Sequence, residues 1–261
     1  MKFISVLTLL ACCILCILTA STAFAAIATP PSPPSSQPAP STVTSGLVLF
    51  ENNTALNTYY DLDQSPTHAL IYVYNGAAGW RHKLLSGAYY REYNGINEWQ
   101  AVSPNEGTNL TKALTIECMV RPFNVSQNLF FVSKESASTI SYAFYYSPAG
   151  KLVFDTTSVA GKVRQTYPCQ LKNNEWYQVG VTWDQATGQT YFYVNGLQHA
   201  ANGTVQNGEL KTVPNGVFLM KDIRNPMVYY KGDVLYTKIY DRSLSAGEMK
   251  KEYTSAMALL I

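Results

Sequence analysis

Paired carboxylates would be the plainest sign of sugar chemistry, because retaining glycoside hydrolysis places two acids about 5 to 5.5 Å apart across the scissile bond. One acid-x-acid triplet exists, Asp61-Leu62-Asp63, and on a strand both acids would share a face. The tyrosines before it and Ser65-Pro66 after it read instead as a turn or an exposed edge. No Gly-x-Ser-x-Gly elbow, His-Glu-x-x-His pair or glycine-rich phosphate loop occurs. Serine hydrolase, zinc protease and nucleotide enzyme therefore drop out of the expected classes. Three histidines leave little room for a histidine-based metal site. The surplus is tyrosine, 19 residues in a chain that is 13% aromatic. Tyrosine suits strands, and it also suits surfaces that hold sugars.

The parity of three segments turns that surplus into a candidate site. In 189–195, Thr190, Phe192 and Val194 form the core set, so Gln189, Tyr191, Tyr193 and Asn195 point the other way. In 113–121, Leu114, Ile116, Cys118 and Val120 face inward, which turns Glu117 and Arg121 outward. In 176–183, Gln178 and Thr182 lie opposite Tyr177, Val179, Val181 and Trp183. If these strands share a sheet, Tyr191, Tyr193, Gln178, Glu117 and Arg121 share one surface. Flat rings beside amide and charged groups suit a sugar's CH face and hydroxyl rim. The plainer alternative is that the tyrosines only cover the sheet and that Glu117 with Arg121 is a surface pair of little energetic worth.

These strands belong to a body that reads as all-β from Gly46 onward, in short apolar or alternating runs broken by glycine, asparagine and proline. Asp184-Gln185-Ala186-Thr187-Gly188 closes a hairpin between 176–183 and 189–195. Further strands are expected at 47–50, 69–74, 128–133, 139–146, 151–156, 217–220 and 233–240. Ser245-Ala246-Gly247-Glu248 is a capping box that should start a short helix running to about Tyr253.

The 261 residues are 47% hydrophobic and 14% charged, with 19 basic against 17 acidic residues. No basic patch of the kind that nucleic acid requires is present. After Lys2 no charge occurs before Glu51, and Phe3 to Leu18 is almost wholly apolar. With Ala23-Phe24-Ala25 following, this reads as a signal peptide of residues 1–25, with Ala28 the second cleavage choice. A retained membrane anchor and a lipoprotein box at Leu9-Leu10-Ala11-Cys12 are the rivals. Each of the three expects a secreted or cell-surface product, with membrane contact only if the segment is retained or lipidated. Residues 26–45 hold six prolines between positions 30 and 40 and form a linker, leaving 46–261 as the folded domain. Cleavage leaves Cys118 and Cys169, which an oxidising space would join, the alternative being two buried thiols. Four Asn-x-Ser/Thr sequons begin at Asn52, Asn109, Asn124 and Asn202.

Asn109-Leu110-Thr111-Lys112 with ALTIECMVRPF, then NEWYQVGVTWDQATGQTYFYVNG, then KGDVLYTKIYDRSLSAGEMKKEY resemble, in that order, laminin-G-like domains of the concanavalin A-like jelly-roll superfamily. The resemblance covers most of 46–254 and implies a two-sheet antiparallel jelly-roll sandwich with a concave face and a loop rim. Relatives that are glucanases carry alternating acids on one strand, and that pattern is missing here. Relatives that are alginate lyases use an arginine-rich strand, a Gln-x-His and a tyrosine-lysine strand. Gln198-His199 and Tyr229-Tyr230-Lys231-Gly232 match only fragments of these. Rim calcium is the one cofactor the resemblance suggests, with Asp184, Asp155 and Asp222 as candidates. Asp184 is read first as a turn-closing residue, and the other two as solvated loop charge. The function expected is an exported, non-catalytic module that binds a glycan or a glycoprotein. A polysaccharide-cleaving enzyme and a protein-binding adhesion module are the alternatives.

Overall fold

A computed structural model describes residues 43–53, 60–74, 81–104, 106–224 and 227–261, which lie within one unit, Ser36–Ile261. The expected signal peptide, 1–25, and most of the expected linker, 26–45, lie outside the described residues. The strands run β1 (Leu47–Glu51), β2 (Tyr60–Leu62), β3 (Leu70–Tyr74), β4 (Arg81–Lys83), β5 (Tyr89–Asn94), β6 (Trp99–Val102), β7 (Ala113–Pro122), β8 (Leu129–Glu135), β9 (Ile140–Ser147) and β10 (Lys151–Ser158). They continue as β11 (Gly161–Pro168), β12 (Tyr177–Asp184), β13 (Gln189–Val194), β14 (Leu197–Ala200), β15 (Asn202–Gly203), β16 (Val217–Leu219), β17 (Lys221–Asp222), β18 (Val228–Tyr229) and β19 (Lys231–Tyr240), before helix α1 (Ala246–Leu260).

Two antiparallel sheets form the sandwich. One is ordered β14-β13-β12-β7-β19-β5-β4, with β1 also on β19, and the other β15-β11-β10-β9-β8-β16-β6-β3-β2. Between them lie the inward sets of the alternating strands: Ile116, Val181, Trp183 and Phe192 meet Phe131, Phe144, Leu152 and Phe154. The small hairpin β17–β18 forms a third element beside β8. Strand β11, absent from the sequence expectation, pairs with β10 along its whole length, so that Asp155 stands opposite Arg164.

The parity expected for β7, β12 and β13 holds, but their outer side is not open. Helix α1 lies over it and is longer than expected, fifteen residues rather than a run to Tyr253. Ser245 and Glu248 form the capping box, and Arg242 donates to Glu248 Oε1 at 2.6 Å. That bond, ahead of burial, which opposes it, holds the Glu248 carboxyl down at about 2. Met249, Glu252, Ala256 and Leu259 face the sheet and make a second core with Met119, Tyr193, Tyr236 and Tyr240. Gly180 permits the close approach, since a Cβ there would stand 2.6 Å from Met249 Cε and 3.2 Å from the Ile116 carbonyl oxygen.

Under the helix sits a polar latch. Lys238 Nζ donates to Glu252 Oε2 at 2.6 Å and lies 3.8 Å from Glu117 Oε1, with all three side chains 0% exposed. Gln178 Nε2 donates to Glu117 Oε2 at 2.8 Å and to the Met249 carbonyl at 3.2 Å. Glu252 also accepts from the Val43 amide, which ties down the start of the domain.

Two further expectations are corrected. Asp61-Leu62-Asp63 does lie at a sheet edge, yet neither acid is exposed. Asp61 is paired with Arg91, and Asp63 Oδ1 accepts from the Phe50 and Ser65 amides at 2.7 and 2.8 Å. Cys118 and Cys169 are free thiols rather than a disulfide. Cys118 is locked in the centre of β7, between β12 and β19. Cys169 follows β11 on the opposite sheet, where burial pushes its thiol up to about 11.

Removing Glu252 would take the hydrogen-bonded partner from the buried Lys238 ammonium and leave it only Glu117 at 3.8 Å. Glu252→Ala should therefore cost about 3 to 5 kcal/mol in urea unfolding, against under about 0.5 kcal/mol for the exposed Lys251→Ala. In the unreduced, denatured protein both thiols should alkylate, and in the native protein Cys169 should react well before Cys118. A single disulfide-linked peptide pair in the unreduced protein would contradict this.

Candidate functional site

With one outer face occupied by α1, the other sheet holds the open ground. Along its outer side the register aligns Arg164, Asp155, Ala143, Ser133, Phe218, Ala101, Tyr72 and Tyr60 in one row across eight strands. Two residues along, Phe130, Tyr145, Val153 and Thr166 form the next row. The rings of Phe130 and Tyr145 stack with centroids 4.4 Å apart. Together with Val153 they floor a groove of about 660 Å³, rimmed by Asn128, Ser147, Lys151, Arg164 and Arg224. A second depression of about 370 Å³, lined by Asp155, shares Arg164 and Arg224 with it and ends at Lys162. Both volumes fall within the usual span of small-ligand sites.

Carboxylates hold the two arginines in place from beneath. Arg164 donates from Nε to Asp155 Oδ1 at 2.7 Å and from Nη2 to Asp155 Oδ2 at 2.8 Å. The Tyr145 hydroxyl donates to the same Oδ2 at 3.3 Å. Arg224 reaches over from the segment after β17, its guanidinium 5.4 Å from the Phe130 ring centre. Its Nε and Nη2 donate to Asp222 at 2.6 to 3.0 Å, and Nε stands 3.1 Å from Glu135 Oε2. The Asp155 hydrogen bonds hold the Arg164 guanidinium above its ordinary range. For Arg224, burial pulls downward and the bonds to Asp222 outweigh it. Burial pushes Glu135 up to about 7, although the Ile223 amide donating at 2.8 Å favours its ionised form.

Asp155 and Asp222 are therefore buried partners of arginines, not solvated loop charges. Asp184 does close its hairpin, with the Ala186 amide donating to its Oδ1 at 2.7 Å. No group of three or more metal-ligating side chains occurs among the described residues.

Glu117, Gln178 and Tyr193, expected on an open sugar-binding face, lie sealed beneath α1. Tyr191 is half-buried at the edge of that second core, its hydroxyl donating to Gln189 Oε1 at 2.7 Å. Arg121 lies to one side, held by Asp233 Oδ2 at 2.6 Å, with its guanidinium 5.3 Å from the Trp176 ring centre. The structure thus joins Glu117 to Gln178 but leaves no room for a ligand between them. His199 of the lyase-like fragment stacks on Tyr167 with centroids 4.2 Å apart, beside a separate cavity of about 530 Å³. Tyr230 of the other fragment is buried.

Arg164 and Arg224 went unread in the sequence. Gly161 after Val159-Ala160 was the available signal, since a hairpin turn there places Asp155 across from Arg164.

Fold and site together define a lectin-like jelly-roll domain with one outer face closed and the other open. The chain belongs to the concanavalin A-like lectin/glucanase superfamily, whose laminin-G-type family model matches residues 94–250. No curated protein sequence matches it. Among solved structures it is similar to the binding domain of botulinum neurotoxin DC in complex with SialylT, at 12% identity and a TM-score of 0.62 over 81% of this chain and 52% of that one. The same domain in complex with rat synaptotagmin II gives 14% identity and a TM-score of 0.61 over 82% and 52%. A Trypanosoma rangeli sialidase mutant displaying trans-sialidase activity gives 14% and 0.61 over 84% of this chain and 34% of its own. The chain thus spans about half of each toxin domain and a third of the sialidase, and at these identities the likeness is one of fold.

Glu135, like Glu117 at about 7 and Glu51 at about 8, is raised first of all by burial. An acid raised in the folded state adds stability in full below its unfolded value and loses it as pH rises through the folded value. The melting temperature should accordingly climb as pH falls from about 8 to about 5. Glu51→Gln should flatten that slope, whereas an unchanged slope in this variant would contradict the assignment.

Proposed function

We propose that the protein is a non-catalytic glycan-recognition module displayed outside the cytosol, receiving its ligand on the outer face of the nine-stranded sheet. The observation that carries this reading is the groove itself. An apolar floor of Phe130, Tyr145 and Val153 lies under a rim of guanidinium, ammonium, amide and hydroxyl groups, the mixture a sugar's CH face and hydroxyls need. Family membership and the toxin binding domains of like fold support it, one of them in complex with SialylT. The apolar leader and proline-rich linker support export.

A polysaccharide-cleaving enzyme is the second reading, favoured by the half-buried His199 stacked on Tyr167 at a cavity that also holds Gln170 and Asn195. Burial lowers the His199 pKa, which leaves a neutral imidazole able to take a proton.

A glycan array probed with the full chain should give discrete hits. Ser147→Trp, which fills the groove from its rim, should abolish them without lowering the melting temperature. New reducing ends or unsaturated products from the bound glycans would favour the enzyme. Hits that Ser147→Trp leaves intact would move the site elsewhere.

A further inference from the structure

The charged residues of the two depressions sort by depth. Asp155 and Asp222 are only 8% and 7% exposed, beneath Arg164 at 62% and Arg224 at 31%. Lys151 and Lys162 are exposed as well. Every charged group that reaches solvent in either depression is thus a cation.

They also sort by position. Lys151 opens β10, Arg164 stands opposite Asp155, and Lys162 stands opposite Thr157, all on the outer side of one hairpin. At about 3.4 Å per residue these three mark a line of roughly 20 Å. Arg224 comes in from beyond β17 and lines both depressions, so the arginine pair stands where the two meet. Each arginine holds its carboxylate through Nε and Nη2. Its Nη1 group has no hydrogen-bond partner among the described residues, which leaves a planar donor edge of the kind that pairs with carboxylates.

Resting on the glycan reading above, we infer that the ligand is a linear, carboxylate-bearing polysaccharide, an internal stretch of which lies along the β10–β11 hairpin. Its acid groups meet Arg164 and Arg224, and the flanking units reach Lys151 in one depression and Lys162 in the other. Asp155 and Asp222 are positioning residues, since they fix the plane of each guanidinium without touching the ligand. A single terminal acid sugar would fill one depression and leave the far lysine idle. A neutral chain would leave Lys151 and Lys162 without a counterpart and the Nη1 edges of Arg164 and Arg224, whose other edges are held by Asp155 and Asp222, unused.

The test uses the full chain and equilibrium binding to polygalacturonate, alginate and hyaluronate, each beside its carboxyl-reduced form, and to the free uronic acids and short oligomers. At least one acidic polymer should bind, its reduced form should bind at least about tenfold more weakly, and affinity should fall with added salt. Affinity should also rise from the monomer through the oligomers. Arg164→Gln and Arg224→Gln should each weaken polymer binding about tenfold, roughly 1.4 kcal/mol. Lys151→Gln and Lys162→Gln should weaken the polymer and leave the shortest bound oligomer unaffected. Equal binding of a polymer and its reduced form, a monomer as tight as the polymer, or wild-type affinity in both arginine variants would overturn the inference. Neutral array hits that Ser147→Trp abolishes would overturn it alone and leave the glycan reading standing. An array without hits would overturn both.

Discussion

The ion pair between Lys238 and Glu252 decides which side of this sandwich can act. A jelly roll has two outer faces, and each must be covered, charged or used. Here the ammonium of β19 meets a carboxylate of α1 at 2.6 Å with no solvent on either side, and breaking such a pair costs far more than a surface bridge. The helix is fastened by it, by Gln178 bridging Glu117 to the Met249 carbonyl, and by the second apolar core. With that face closed, the aromatic and polar side chains of β7, β12 and β13 become interior. The open outer ground that remains is on the other sheet.

That sheet uses buried acids in a different way. Asp155 and Asp222 pair with arginines whose other edges reach water, so the acids set geometry while the cations meet solvent. The strap after β17 brings Arg224 over Phe130 and Glu135, and thereby divides the face into two depressions. The same pairing that stabilises the face also orients the groups a ligand would meet, which lowers the cost of ordering them on binding.

Much of the framework was legible in the sequence because alternation in β7, β12 and β13 is strong and their turns are clear. The parity of Glu117, Gln178 and Tyr193 came out right. Their exposure did not, because parity states which way a side chain points and not what lies above it. The covering helix was recognised only at its start. Its seam of Met249, Glu252, Ala256 and Leu259 contains a glutamate, whose burial makes sense only beside Lys238. Strand β11 escaped because it is a largely exposed strand without period-two contrast, and with it went Arg164. Arg224 lies far along the chain from Phe130 and Glu135, a contact that only the tertiary fold brings about.

Amide hydrogen exchange of the full chain, with and without a bound array glycan, tests most directly which face receives the ligand. The account predicts slowed exchange in β10, β11 and the segment from Lys221 to Arg224, with α1, β12 and β13 unchanged. Protection confined to α1 and β13, or to the loops at the ends of the sandwich, would contradict it.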